Sequence, residues 1–335
     1  MSQPSAHRVA IVSPSAPTRR TGNVHTARRY AGFLRDAGYR VRLLATWQGE
    51  AADVLVALHA RKSADSILAF ARAHPGRPIV VVLTGTDVYR DLARSKRALR
   101  ALEVATAIVT LQPDALAFIP KRLRNKATPI EQSAVSPWQW KPPGRAQFCV
   151  LGHLRYEKDP LRAGLALAKI PRALGVRVVQ AGAALDERFL TRANRLSERD
   201  ARYRYLGEVT QRRAMRMLAA SSALVLSSRM EGGANVLSEA IAAGTPVIAS
   251  RISGNSGILG SDYPAYFPPG DTAACAALMR RCAQDARFLR SLHSRVRRLA
   301  PLVRPQRERD LLLTVVKRVL GAVTRPRPLR SRSDR

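Results

Sequence analysis

The sequence predicts an α/β protein built from two doubly wound, parallel-sheet domains, and three observations carry that prediction. Short apolar strands alternate with amphipathic helical stretches along nearly the whole chain, which calls for parallel sheets covered by crossover helices on both faces. At 335 residues with 46% apolar content the chain can fill two separate cores. Between them, residues 133–145 (SAVSPWQWKPPGR) hold three prolines, a glycine and no helical or strand period, the composition of a linker. The expected division is therefore a first domain over 1–135, a linker over 136–146, a second domain over 147–302, a closing helix over 303–322 and a basic tail over 323–335.

In the first half, strands are expected at 8–13, 40–45, 53–59, 78–83 and 105–111, with helices at 23–37 and 63–73 and a weaker segment running to about 132. Open α/β sheets bind ligands at the carboxyl ends of their strands. That selects the loops Thr21-Gly22-Asn23, His59-Ala60-Arg61-Lys62 and the stretch from Thr84 through Thr86 and Asp87 to Tyr89. In the second half, strands are expected at 148–152, 176–181, 203–206, 223–227 and 245–250. Helices are expected at 160–170, 186–196, 210–220 and 234–243, then on to about 299, with a last one at 307–320.

The most informative stretch is SRMEGGANVLSEAIAAGTPVIAS, from Ser228. It reads as the end of a strand, a Gly232-Gly233 turn and a helix start, where unpaired main-chain N–H groups and the helix dipole suit a phosphate or sugar hydroxyls. Glu231 precedes the turn and Glu239 follows it, on what the spacing suggests is one helical face. Gly244 then marks the helix end. A second loop, Gly152-His153-Leu154-Arg155-Tyr156-Glu157-Lys158-Asp159, follows the first strand of the second domain and concentrates cations.

Composition excludes several classes. No apolar run approaches the roughly 20 residues that cross a bilayer, and Ser2-Gln3-Pro4-Ser5 leads into a strand without an export-signal pattern, so a cytoplasmic protein without stable membrane insertion is expected. Cys149, Cys275 and Cys282 lack ligand or disulfide spacing. There is no Asp-x-Asp pair to hold a divalent ion on a diphosphate; neither metal nor cofactor is expected. The net charge of +33 comes mostly from arginines spread from Arg8 to Arg335. No nucleic-acid recognition module accompanies them, so a compositional bias that attracts anions, without a specific nucleic-acid partner, is the better account.

With these residues in place, EGGANVLSEAIAAGTPVIAS closely resembles family 4 of the nucleotide-sugar transferases, whose fold (GT-B) has two facing Rossmann-like domains with a cleft between them. The spacing from Glu231 to Glu239 matches that family's E-x7-E signature. The resemblance implies that Glu231 sits at the sugar, that the amides of Gly232, Gly233, Ala234, Asn235 and Val236 meet sugar hydroxyls and diphosphate, and that Glu239 holds the ribose. The loop at Gly152 resembles the family's G-R-L-x-x-x-K-G, in which arginine and lysine grip the donor diphosphate. Lys158 matches; His153 occupies the arginine's place, and Arg155 is assigned the anion role, with His153 able to share it. Leu206-Gly207-Glu208 is expected to border the uracil, and the closing helix to cross back onto the first domain.

More narrowly, LHARKSADSI, VLTGTDVYRDL, LGHLRYEKDP, QAGAALDE and YFPPGD, in order and with the stretch above, resemble the selenosugar synthases of bacterial selenoneine biosynthesis over about residues 8 to 300. The departures are the segment 121–145 and SGNSGILG, which lacks the family's GxxE. This resemblance implies transfer of N-acetylglucosamine or glucose from the UDP-sugar to selenophosphate. The competing expectation is an ordinary family 4 hexosyltransferase acting on a hydroxyl of a lipid or glycan. On the acceptor side, Arg61, Thr84 and Thr86 suit a small tetrahedral anion. Asp87 is either a base for a hydroxyl acceptor or a helix cap. Gly22, Asn23 and Thr26 either permit close approach of a ligand or belong to a capped helix start, and His59 is either an acid–base group or a structural histidine.

Overall fold

A computed structural model describes residues 7–15 and 21–323. The expected basic tail lies outside the described residues except for Val323. The chain divides into two compact units, one of residues 1–110, 118–130 and 309–335, the other of 111–117 and 131–308.

The first unit holds strands β1 (Arg8–Val12), β2 (Arg40–Leu44), β3 (Val54–Leu58), β4 (Ile79–Val82), β5 (Ala107–Thr110) and β6 (Ala127–Pro129). They form one parallel sheet in the order β2-β1-β3-β4-β5-β6. Central β3 (VLVAL) and β4 (IVVV) are buried at every position, whereas edge strand β2 alternates with Arg40 and Arg42 exposed; charge on an edge discourages further pairing. Tyr30 and Phe70 are among the largest fully buried side chains of this unit. Its helices include Gly22–Asp36, Ala64–Ala73 and Lys96–Val104. The last of these is missing from the sequence-based expectations, because Lys96, Arg97, Arg100 and Glu103 interrupt its short apolar pattern.

The second unit holds β7 (Gln147–Leu151), β8 (Arg177–Ala181), β9 (Tyr203–Tyr205), β10 (Ala223–Leu226), β11 (Val247–Ser250) and β12 (Tyr266–Phe267). This sheet is also parallel, in the order β12-β11-β10-β7-β8-β9. The strand order reverses between β7 and β10, the switch point where doubly wound sheets open a crevice for ligands. Helices Asn235–Ala243, Thr272–Gln284 and Ala286–Arg298 supply much of the apolar cover. A short helix, Ser253–Leu259, occupies SGNSGILG, where none is expected from so many small residues.

The proline-rich segment read as a linker is held by this second unit at several points, among them Ala134 N donating to Val303 O at 3.0 Å and Trp140 N donating to Ala243 O at 2.8 Å. Trp140 is buried in its core, donates from Nε1 to Ser221 O at 2.7 Å and stacks on His293. Cys149, Cys275 and Cys282 are free and buried in the same core, and burial pushes each thiol up to about 12. Among the described residues no helix is long and apolar enough to cross a membrane.

Candidate functional site

At the switch point two loops are laced together. The loop after β7 ends in a turn over Tyr156–Lys158, and the loop after β10 carries Ser227 to Glu231. Arg229 N donates to Glu157 O at 2.8 Å, and Ser227 Oγ donates to Asp159 O at 2.8 Å. This lacing brings Lys158 Nζ onto Glu231 Oε1 as an ion pair, and Ser228 Oγ donates to the same oxygen at 2.6 Å. Both partners are largely buried, their side chains 19% and 8% exposed, so the pair is shielded from solvent far more than an ordinary surface contact.

Gly232 and Gly233 follow, and the helix Asn235–Ala243 starts after Ala234, which offers no side-chain cap. The first N–H groups of a helix have no partner within it, so Asn235 and Val236 sit where an anion or hydroxyl would be received. Glu231 therefore lies in the loop, and the expectation that it shares a helical face with Glu239 is corrected: the eight-residue interval spans a turn and a helix start. Glu239 is on the helix and accepts from Gln211 Nε2 at 2.7 Å.

Glycines shape this surroundings for steric reasons. A Cβ on Gly254 would lie 2.0 Å from Glu231 O, and one on Gly257 would lie 1.8 Å from Gln112 Oε1. The place of the glutamate missing from GxxE is thus filled by a side chain from the segment 111–117, which also bonds here through Asp114 Oδ2 and Ser256 Oγ at 2.8 Å. At the ends of β7 and β8, a Cβ on Gly182 would lie 2.0 Å from Gly152 O. Gly182 N donates to Gly207 O at 2.8 Å, so Gly152, Gly182 and Gly207 form one edge. Arg155, its side chain 42% exposed, lies 4.0 Å from Glu157, and its carbonyl accepts from Lys158 N at 3.0 Å. His153 is half-buried in the same loop.

In the first unit, pairing of β3 with β4 brings together His59, Thr86 and Asp87. Asp87 is fully buried. Its Oδ1 accepts from the N–H groups of Thr84, Gly85 and Val88 at 2.9, 2.8 and 3.2 Å, and its Oδ2 from Ala60 N at 3.1 Å. Asp91 arrives through a wide helical turn in which Leu92 N reaches back to Asp87 O. It pairs with Arg61 at 3.0 Å and Arg90 at 3.3 Å. His59 is 2% exposed with φ of 70°. Lys62 N donates to its Nδ1 at 3.3 Å and its Nε2 lies 3.0 Å from Thr86 Oγ1. Burial lowers its pKa first of all, with Lys62 and Arg61 acting the same way and Asp87 and Asp91 opposing. With Nδ1 accepting from the Lys62 main chain, Nε2 is the ring nitrogen that faces the Thr86 hydroxyl.

Gly22, Asn23 and Thr26 stand on the helix Gly22–Asp36. Thr21 caps their helix by accepting from Val24 N at 3.4 Å, and Thr26 Oγ1 donates to Gly22 O at 3.1 Å. Asp91, Ser228 and Gln211 were missed by sequence reasoning. Ser228 alone had a signal, its place three residues before Glu231. Among the described residues no group of His, Cys, Asp and Glu has the arrangement to hold a metal ion.

Comparison with known proteins places the chain among similar ones. Residues 135–298 match the family "Glycosyl transferases group 1". Glycogen synthase of Mycobacterium tuberculosis is 29% identical over 144 residues, 42% of this chain; the match spans about a third (35%) of that relative's length. Among solved structures, sucrose-phosphate synthase from Thermosynechococcus elongatus superposes with a TM-score of 0.77 at 15% identity, covering 94% of this chain and 100% of the other. Anabaena HepE in complex with UDP and glucose gives 0.71 at 16%, covering 95% and 99%. The fold is accordingly GT-B: an α/β chain with two parallel-sheet domains.

Proposed function

We propose that the chain is a UDP-sugar-dependent glycosyltransferase whose acceptor is selenophosphate, acting in selenoneine biosynthesis. The observation that carries the donor half is the Lys158–Glu231 pair, set by Ser228 at the switch point immediately before an uncapped helix start. Lys158, with Arg155 and His153 from the same loop, neutralises the charge that builds on UDP as the sugar–oxygen bond breaks. A fixed cation there stabilises the transition state more than the ground state. Glu231 and the amides of residues 232–236 orient the sugar, Glu239 holds the ribose, and Gly207 borders the uracil. HepE, a structural neighbour, binds UDP and glucose, which supports the donor class.

Support for the acceptor comes from how the first unit's titratable groups are committed. Asp87 accepts four main-chain donors, Asp91 is ion-paired with two arginines, and His59 accepts from Lys62 N at Nδ1 and meets the Thr86 hydroxyl at Nε2. A hydroxyl acceptor needs a base within reach; selenophosphate is ionised already and needs none. Thr86, Thr84 and Arg61 would receive its oxygens. Its selenium attacks C1, the bond from C1 to the UDP oxygen breaks, and water then cleaves the Se–P bond to leave the 1-selenosugar and phosphate. The second reading, transfer to a hydroxyl of a lipid or glycan, is favoured by the edge-to-face pair of Tyr89 and half-exposed Phe118 in the first unit.

The deciding experiment incubates the protein with UDP-N-acetylglucosamine or UDP-glucose and selenophosphate, thiophosphate or no acceptor, following UDP release and product mass. Selenophosphate-dependent UDP release with a selenosugar product is expected. UDP release indifferent to selenophosphate, with transfer to a hydroxyl compound, would establish the second reading.

A further inference from the structure

Asp159 follows Lys158 at a position where the motif quoted above carries glycine, and it adopts a left-handed conformation, φ 42° and ψ 53°. Aspartate tolerates this region better than most residues yet still less readily than glycine. Its carboxylate is only 12% exposed and is clamped by Arg162, whose Nε and Nη2 donate to Oδ2 and Oδ1 at 3.0 and 3.2 Å. Arg162 is itself 13% exposed and tied through Nη1 to Thr272 Oγ1. A second guanidinium, that of Arg229, lies 3.7 Å from Asp159 and 5.3 Å over the ring of Tyr156. The left-handed turn directs the carbonyls of Lys158 and Asp159 to the Ser227 hydroxyl, at 3.3 and 2.8 Å. The Lys158 ammonium is left facing Glu231.

We infer that Asp159, Arg162 and Arg229 form a positioning unit that holds Lys158 in its diphosphate-gripping place, with Arg162 neutralising a carboxylate that would otherwise compete for the Lys158 ammonium. The inference rests on the donor half of the proposed function. Two demands are met by one contact. The clamp fixes the turn, and it removes a negative charge one residue from the cation. Glycine meets both demands without a partner, so a glycine at 159 makes Arg162 dispensable. That compensation separates a positioning role from a merely structural one: a structural Arg162 would still be needed for its bond to Thr272 whatever stands at 159.

The test is UDP binding by titration calorimetry for wild type, Lys158→Ala, Arg162→Ala, Asp159→Gly and the double variant Arg162→Ala/Asp159→Gly, with thermal midpoints measured alongside. Arg162→Ala is expected to weaken UDP about tenfold, and the double variant to return within about threefold of wild type even if its thermal midpoint stays low. An Arg162→Ala variant that binds like wild type, or a double variant as weak as the single one, overturns the inference. Lys158→Ala separates the two levels. If wild type and Lys158→Ala bind UDP alike, the donor reading itself fails; if Lys158→Ala is weak and Arg162→Ala is not, only the positioning unit fails.

Discussion

Glu231 accepts from Lys158 and Ser228 at a single oxygen, and under the proposed function Oε2 is the atom that meets a sugar hydroxyl. Replacing Glu231 with Gln keeps the shape and removes the charge. UDP release is expected to slow about 10²-fold, with Lys158→Ala at least as severe, both checked by steady-state kinetics. His59 gives a pH prediction. Its folded pKa lies below the ordinary 6.5 because burial penalises the imidazolium. Below 6.5 the unfolded chain therefore binds the proton first, and stability falls as pH drops through that value toward the folded pKa. The thermal midpoint of wild type should decline more steeply below pH 6.5 than that of His59→Asn; equal slopes would place the titrating group elsewhere. Residue identity alone showed Lys158 and Glu231, because motif spacing records them. It could not distinguish a base from a satisfied carboxylate at Asp87, since its donors come from Ala60, Thr84, Gly85 and Val88 on two strand-end loops.

The elements most legible in the sequence were the strands with continuous apolar runs, such as β4 (IVVV) and β10 (ALVL), whose burial on both faces leaves no alternation to misread. Helix Lys96–Val104 and helix Ser253–Leu259 were not legible. In one, Lys96, Arg97, Arg100 and Glu103 interrupt the apolar positions, and the other is written in small residues because Glu231 O and Gln112 occupy the space beside it. Close approach at glycine makes a graded prediction. Gly244 ends its helix at φ 73°, and a Cβ there would meet only movable atoms of Arg297 and His293. Gly244→Ala should therefore cost about 1–2 kcal/mol, the backbone penalty alone. Gly182→Ala would drive a Cβ into Gly152 O, a main-chain atom, and should cost clearly more. Urea denaturation of the two variants orders them.

At the scale of the molecule, a net charge of +33 surrounds a pair of loops whose proposed ligand is anionic. Long-range attraction of that kind is screened over about 8 Å at physiological ionic strength. UDP affinity should fall as salt rises from about 50 to 500 mM, with the slope shallower in Lys158→Ala, as read by calorimetry at each salt. The alternation of strands and helices announced the two parallel sheets. The return of 309–323 to the first unit agrees with the closing helix that the family resemblance implied, whereas the grouping of 111–117 with the second was not read, because sequence order carries no trace of it. The edge formed by Gly152, Gly182 and Gly207 has one more implication. Whatever reaches it meets peptide groups, which every sequence shares. Selectivity written there is hard to retune by changing one amino acid, so altered sugar preference in variants of this protein should map to positions away from that rim.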